Sequence, residues 1–245
     1  MKNIKRNLAV VALLIVSTFS FAQNLDEIVQ KHIEAVGGKN NWAKVKTVKT
    51  ELVTKVQAAE IKVNIFQIDK KAMRTNIAVM GMEGYSILTT TEGWNYMPFQ
   101  GQTKAEAMTA DDVKKAQDGL NIQDEFITYK DLGKKIEYLG KDDVDGTECF
   151  KIKMTSKDGI ETTFYIDPSN YYVIKQTKKM TINGKEVEDN TSMSNFKKLP
   201  EGIVMPYSIV SSWGEATVTN ITINPTIDEA LFKPTVAPAV PATSK

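Results

Sequence analysis

Side chains able to do covalent or acid–base chemistry are scarce in this 245-residue sequence, which has one histidine and one cysteine. A zinc site of the HExxH or His-rich kind needs at least two histidines, so His32 alone excludes it. A Ser-His-Asp triad would have to use His32, which borders the apolar positions of a helical repeat; no Gly-x-Ser-x-Gly elbow or Cys-His pair accompanies it. Asp111-Asp112, Asp124-Glu125 and Asp142-Asp143 are the carboxylate pairs from which a glycosidase acid and nucleophile would have to be drawn. The first stands at a helix start, where free N–H groups favour carboxylates, and the last precedes an Asp-Gly turn, so capping and solvation explain them. There is no P-loop or dinucleotide fingerprint, and Gly81-Met82-Glu83-Gly84 reads as a turn. The lone Cys149, beside Phe150, excludes an internal disulfide and fits a small core residue. No catalytic residue, no cofactor and no metal ligand set is expected.

What does stand out is soft and apolar. Met73, Met80, Met82, Met97 and Met108 gather in one stretch. Unbranched, polarisable methionine suits a surface that must fit flexible apolar ligands, although it also fills gaps in ordinary cores. Arg74 lies in the same stretch, on a strand otherwise written Met73, Thr75, Ile77 and Val79, so alternation points it away from those four. That leaves it to water by default, or to a polar contact with a helical lid.

The elements that must position these residues are mainly strands. Leu25, Ile28, Val29, His32, Ile33 and Val36 recur at helical spacing and stop at Gly37-Gly38, which predicts one amphipathic helix with a glycine cap. Strands are predicted at residues 48–56, 61–68, 73–80, 85–90 and 94–97, joined by short turns suited to antiparallel neighbours. Thr109-Ala110-Asp111-Asp112 opens one or two short helices between residues 109 and 129. Strands resume at 136–139, 149–155, 160–166, 172–180, 186–196, 203–213 and 216–223, with Asp145-Gly146, Asp158-Gly159 and Asn183-Gly184 as turns. A last helical turn around Asp228 to Phe232 leads into Pro234, Pro238 and Pro241. Eleven or twelve strands with so few helices argue for one mainly β domain, a large, strongly curved antiparallel sheet. Apolar residues fall on both sides of some strands, as at Ile65, Phe66 and Ile68, so both sides need cover.

Residues 1–22 carry Lys2, Lys5 and Arg6, then the apolar run Leu8 to Val16, then Ser20-Phe21-Ala22, the three parts of a secretory signal cleaved after Ala22. The run falls short of the roughly 20 apolar residues that span a bilayer. Cys149 is far from that cleavage point, so no acylated N-terminal cysteine is expected. Removing the three leader cations takes the formal charge from +1 to about −2, well mixed along the chain, which argues against nucleic acid as a partner. The expected organisation is a leader over 1–22, one domain over 23–233 and a Pro/Ala-rich tail over 234–245.

Several stretches resemble the LolA-type family of periplasmic outer-membrane lipoprotein-sorting proteins: Ile33 to Lys39 after the first helix, Ser86 to Phe99 with its Thr91-Glu92-Gly93-Trp94 turn, Thr163 to Asp167 with Val173-Ile174-Lys175, and Ile223-Asn224-Pro225 with Asp228 to Phe232. The resemblance implies an incomplete antiparallel barrel, a half-barrel under a helical lid, that carries lipoprotein acyl chains, or other lipid, from an inner-membrane donor to an outer-membrane acceptor. It implies a soluble periplasmic monomer of a Gram-negative cell, acting as a chaperone in lipoprotein transport. The best-known carriers place an arginine followed by proline before the Trp-bearing hairpin; here Lys70-Lys71-Ala72-Met73-Arg74 occupies that region, with Arg74 the counterpart for a lid contact. The residues expected to line a lipid site are Ile65, Met73, Ile77, Leu88, Trp94, Tyr96 and Met97. A non-enzymatic envelope sensor, using the same fold to bind lipoprotein or a membrane partner, is the alternative, and a hydrolase built on the carboxylate pairs comes third.

Overall fold

The structure is a computed structural model that describes residues 24–56, 59–182, 185–212 and 214–235. The expected leader and the tail beyond residue 235 lie outside the described residues, as do Asn183-Gly184 and Trp213. Thirteen strands form one antiparallel sheet: β1 (Thr47–Val56), β2 (Ala59–Ile68), β3 (Ala72–Val79), β4 (Met82–Thr89), β5 (Gly93–Tyr96), β6 (Glu106–Ala107), β7 (Lys135–Val144), β8 (Thr147–Thr155), β9 (Glu161–Ile166), β10 (Val173–Ile182), β11 (Lys185–Lys198), β12 (Val204–Ser211) and β13 (Gly214–Ile223). The order is β6-β5-β4-β3-β2-β1-β13-β12-β11-β10-β9-β8-β7, a line that does not close into a barrel. Twelve of these strands follow from alternation; the two-residue β6 is too short to show a period.

The chain divides into two compact units, each drawn from separated stretches of sequence: residues 24–39 with Asp124–Met205, and Asn40–Gln123 with Pro206 onward. In the first unit, helix α1 spans residues 24–35, and the one-turn helix α2 (Lys39–Trp42) follows it in the chain. Its Ile28, Val29 and Ile33 pack with Phe126 and Tyr129 onto Ile152 and Met154 of β8 and Phe164 and Ile166 of β9. Gly38 N–H donates to the Ile33 carbonyl at 2.8 Å, closing the helix end. Gly37 has φ +112, and a Cβ there would collide with the Gly202 carbonyl oxygen and lie 2.7 Å from the Ile203 Cα. Close backbone approach as well as left-handed geometry therefore demands glycine.

His32 is 1% exposed on the same helix. Its Nδ1 lies 2.7 Å from the Tyr171 carbonyl, its Nε2 3.2 Å from Asp124 Oδ2, and Phe126 meets its ring edge-on at 4.9 Å. Only a doubly protonated ring can donate to both oxygens. Burial by itself favours the neutral imidazole, but the Asp124 charge, the Asp124 hydrogen bond and the Tyr171 carbonyl together raise its pKa above the ordinary 6.5. Asp124 also caps α4 (Glu125–Thr128), its other oxygen accepting from Phe126 N–H at 2.9 Å. The histidine therefore ties α1 to the start of α4 and to the turn that bears Tyr171.

In the second unit, β13 pairs with β1 and β1 with β2, and the hairpins continue through β3, β4 and β5. Asn224, with φ +55, ends β13. Its side chain accepts from Lys46 N–H at 2.7 Å and donates to the Lys44 carbonyl at 3.1 Å, fastening the entry to β1. Two further helical pieces, α3 (Ala110–Ala116) and a 3-10 turn over Gln117–Leu120, interrupt the sheet where the sequence predicts helices, with Thr109 accepting from Asp112 N–H at 3.1 Å as the cap.

Gly37→Ala should cost about 1–3 kcal/mol, the range for a residue forced into a disfavoured backbone conformation, and should lower the urea midpoint of unfolding. The raised His32 pKa has a definite sign in stability. The contribution of the buried imidazolium is fully present below the unfolded value near 6.5 and is lost as pH rises through the higher folded value. Chemical denaturation between about pH 6 and pH 9 should show a falling midpoint that flattens in His32→Gln; an unchanged slope would remove the imidazolium from the account.

Candidate functional site

The register of the second unit assigns each side chain to one side of the sheet, because residues directly opposite one another share a side. Phe66, Arg74 and Ile87 are opposite in turn, as are Ile87 and Trp94, and Asn76, Tyr85 and Tyr96. The other side carries Ile65 opposite Thr75, Val63 opposite Ile77, Ile77 opposite Gly84, and Met73 opposite Leu88. The seven residues singled out for lipid binding therefore divide. Ile65, Met73, Ile77 and Leu88 share one side, whereas Trp94 and Tyr96 are on the opposite one. Met97 joins the first group: a Cβ on Gly84 would lie 3.3 Å from its Sδ and 2.8 Å from the Phe99 ring.

The Trp94 side is closed by the segment after β13. Phe232, 6% exposed, packs with Ala72, Tyr85 and Ile87, and Ile227, Phe66, Ile68, Trp94 and Tyr96 surround them. Arg74 holds this strap. It is 7% exposed; its Nε donates to Asn76 Oδ1 at 2.6 Å, its Nη1 to the Leu231 carbonyl at 2.7 Å, and its guanidinium lies 4.3 Å from the Tyr85 ring centre. Tyr85 donates its hydroxyl to the Thr235 carbonyl at 2.9 Å. Arg74 thus meets neither bulk water nor the inserted helices, the two destinations that alternation alone allows. The expected helical turn, a 3-10 helix over Glu229–Phe232, covers that side with the residues after it, and carbonyl acceptors arrive with it. Burial draws the guanidinium pKa down, opposed by Tyr85, and three hydrogen-bonding and ring partners keep it satisfied without a carboxylate.

The opposite side is covered at one end only. Val113 of α3 and Leu120 of the 3-10 turn pack on Leu88, with Met73, Met108 and Ala116 around them. The insertion is tied down there: Lys70 N–H donates to the Leu120 carbonyl at 2.8 Å, Ile122 N–H to Asp69 Oδ1 at 3.1 Å, and Gln67 Nε2 to the Gly119 carbonyl at 2.8 Å. Gly93 makes room for it, since a Cβ there would collide with Met108 Sδ. Beyond these helices the side continues with Leu52, Ile61, Val63, Ile65, Ile77 and Val79, every one half-buried and none fully buried. Ile221 and Ile223 of β13, opposite Thr50 and Val48, extend it. No charged residue occurs on this side of β13, β1, β2, β3 or β4.

The strap side behaves differently at the same distance along the same strands, where Glu51, Lys62, Asn64, Asn76 and Glu83 replace apolar residues. Sequence reasoning named Ile65 and Ile77 but missed Leu52, Ile61, Val63 and Phe99. The signal for the first three was the same alternation carried to the paired strands; Phe99 lies within a three-residue 3-10 helix, Pro98–Gln100, and has no period to betray it.

Groups able to do acid–base chemistry are elsewhere and engaged. Asp111 pairs with Lys115, Asp142 with Lys151 at 2.8 Å, and Asp124 with His32. Cys149 is fully buried, and burial pushes its thiol pKa up to about 11. Among the described residues no group of three or more His, Cys, Asp or Glu side chains is placed to hold a metal.

Arg74→Lys keeps the charge but loses the planar fork. It should cost about 1.5–3 kcal/mol, the range for hydrogen bonds to a charged group, and should speed amide exchange in residues 228–235. Unchanged exchange there would mean that Phe232 alone retains the strap.

No protein-family model and no curated protein matches the chain. Solved structures do. A LolA superfamily protein from Nitrosomonas europaea superposes with a TM-score of 0.53 at 12% identity, over 85% of this chain and 96% of that one. A DUF1329 family protein from Desulfovibrio piger gives 0.52 at 10% identity, over 85% and 96%. Identities this low bear on the fold alone. The mainly β, open antiparallel sheet with few helices is a LolA-type fold.

Proposed function

We propose that the half-covered apolar side of the second unit binds acyl chains of lipoproteins or other lipids, and that the protein is a non-enzymatic carrier in the periplasm. One observation carries the reading. The strap side becomes polar where its cover ends, whereas the helix side stays uncharged and apolar where α3 and its 3-10 turn end. An uncovered apolar stripe costs solubility unless it is used, and contiguous apolar patches on soluble chains mark binding surfaces. Branched Ile, Val and Leu side chains with Met97 and Phe99 at one edge offer dispersion contacts without directional demands, as a flexible hydrocarbon requires. Each methylene withdrawn from water contributes about 0.8 kcal/mol, so one acyl chain would be held firmly yet releasably.

Several features support the setting. The leader-like residues 1–22 have the three parts of an export signal. Among the described residues no helix is long and apolar enough to cross a membrane. An inner-membrane donor and an outer-membrane acceptor are the partners that a lipid carrier of this fold would need.

Ile65→Glu combined with Ile77→Glu should weaken binding of a fluorescent fatty acid to the detergent-free mature protein by at least about tenfold, or 1.4 kcal/mol, with little change in the unfolding midpoint. Lys62→Ser, on the other side of β2, should bind as the parent does. Wild-type affinity in the double glutamate variant would place the site elsewhere.

A further inference from the structure

One row of polar side chains crosses the apolar side of the second unit. Ile65 of β2 is opposite Thr75 of β3, Thr75 opposite Ser86 of β4, Ser86 opposite Asn95 of β5, and Asn95 opposite Glu106 of β6. The row therefore turns from apolar to polar toward the sheet edge and ends on a carboxylate. Neighbouring strands are about 4.8 Å apart, so Thr75, Ser86 and Asn95 span roughly 10 Å. All three are half-buried, and no hydrogen bond to another described residue occupies their side chains.

Their position is not that of groups placed for water. A water-facing surface would put its polar residues at the bare end of the strands, yet that end carries Ile61 and Val79. The two hydroxyls and the amide lie instead between two apolar walls. On one side Leu88, two residues from Ser86, is covered by Val113 and Leu120. On the other, Gly84, also two residues from Ser86, is overlain by Met97 and Phe99, since a Cβ there would lie 3.3 Å from Met97 Sδ and 2.8 Å from the Phe99 ring. Residues advance about 3.4 Å along a strand, so the walls stand roughly 14 Å apart. Gln102 ties the edge together: its Oε1 accepts from Met97 N–H at 2.6 Å, and its Nε2 donates to Glu106 Oε2 at 3.0 Å.

We infer that Thr75, Ser86 and Asn95 form a headgroup notch that receives the uncharged ester and hydroxyl groups of an acylglyceryl lipid, with Glu106 set against anionic headgroups. The inference rests on the carrier reading and deepens it, because the notch opens onto Val63 and Ile77, along which the acyl chain would lie. Hydroxyls donate and accept, and a carboxamide offers both functions, which matches ester carbonyls and glycerol hydroxyls. An ionised carboxylate or phosphate in the same place meets no cation on this side of β1 to β5 or β13 and faces Glu106, so its loss of water goes uncompensated. A few placed polar groups in an apolar site orient the ligand and discriminate between analogues more sharply than apolar walls do. Glyceryl esters occur in free acylglycerols and on the acylated cysteine of lipoproteins, and the notch suits the chemistry that the two share.

The test is isothermal titration of the mature chain with 1-monododecanoylglycerol and with dodecanoate at about pH 9, where the fatty acid is ionised. The glyceride should bind at least about tenfold more tightly. Thr75→Val with Ser86→Ala, which removes two hydroxyls with little change of shape, should weaken glyceride binding at least about tenfold and keep the unfolding midpoint. Glu106→Gln should tighten dodecanoate binding by about threefold or more; an unmoved affinity would overturn the part assigned to Glu106. Equal binding of the two lipids by the parent, or undiminished glyceride binding by the double variant, would overturn the notch and leave the carrier reading standing, whereas binding of neither lipid would overturn both. A diacylglyceryl-cysteine peptide compared with the corresponding free diacylglycerol tells the two sources apart: tighter binding of the peptide assigns the notch to lipoprotein, tighter binding of the diacylglycerol to free lipid.

Discussion

Strands β1 to β4 bear apolar residues on both sides, and this one constraint organises the second unit. A sheet buried on one side can leave the other wet, but only if alternation puts polar residues there. Here Ile65 and Phe66, or Ile87 and Leu88, are consecutive, so two covers are required. Two are present, and they come from different parts of the chain: the strap after β13 on one side, and the insertion between β6 and β7 on the other. Each reaches only part of the way along the strands. The composition of the bare remainder differs between the sides, and that difference separates a surface meant for water from one meant for something else.

The strap depends on an unusual choice. A buried guanidinium is costly, and a carboxylate partner is the ordinary remedy. Arg74 is instead met by carbonyl oxygens, an amide and an aromatic face, a set that is complete only when residues 231–235 lie across the sheet. Its positive charge therefore specifies the path of the tail more than it adds stability. In the first unit His32 has an analogous role, with Asp124 serving both as its counterion and as the cap of α4.

Most of the β architecture could be read from alternation, since Val, Ile and Thr repeat at period two between turns rich in Gly, Asp and Asn. Gly37-Gly38 and Thr109 announced their helix ends for the same local reasons. Legibility failed where the information was not local. Nothing in residues 94–97 reveals that Trp94 shares a side with Arg74 rather than with Leu88, because that depends on the register of β4 against β5. The destination of Arg74 lies more than a hundred residues away in the sequence, at Leu231. The division into two units was equally hidden, since each is assembled from two separated stretches and no linker marks the boundary.

That interleaving sets an order of events for the newborn chain. Val48 pairs with Ile223 and the entry to β1 is tied by Asn224, so that edge of β1 has no partner until synthesis has passed residue 224. Strands β1 to β4 can form a local meander early, but its free edge and its apolar sides stay open through synthesis of everything between. Such a nascent sheet invites pairing with other chains. Completion from the C-terminal end also makes the second unit intolerant of truncation: a chain that stops before β13 lacks the strand on which β1 closes, and one that stops just after it lacks the strap.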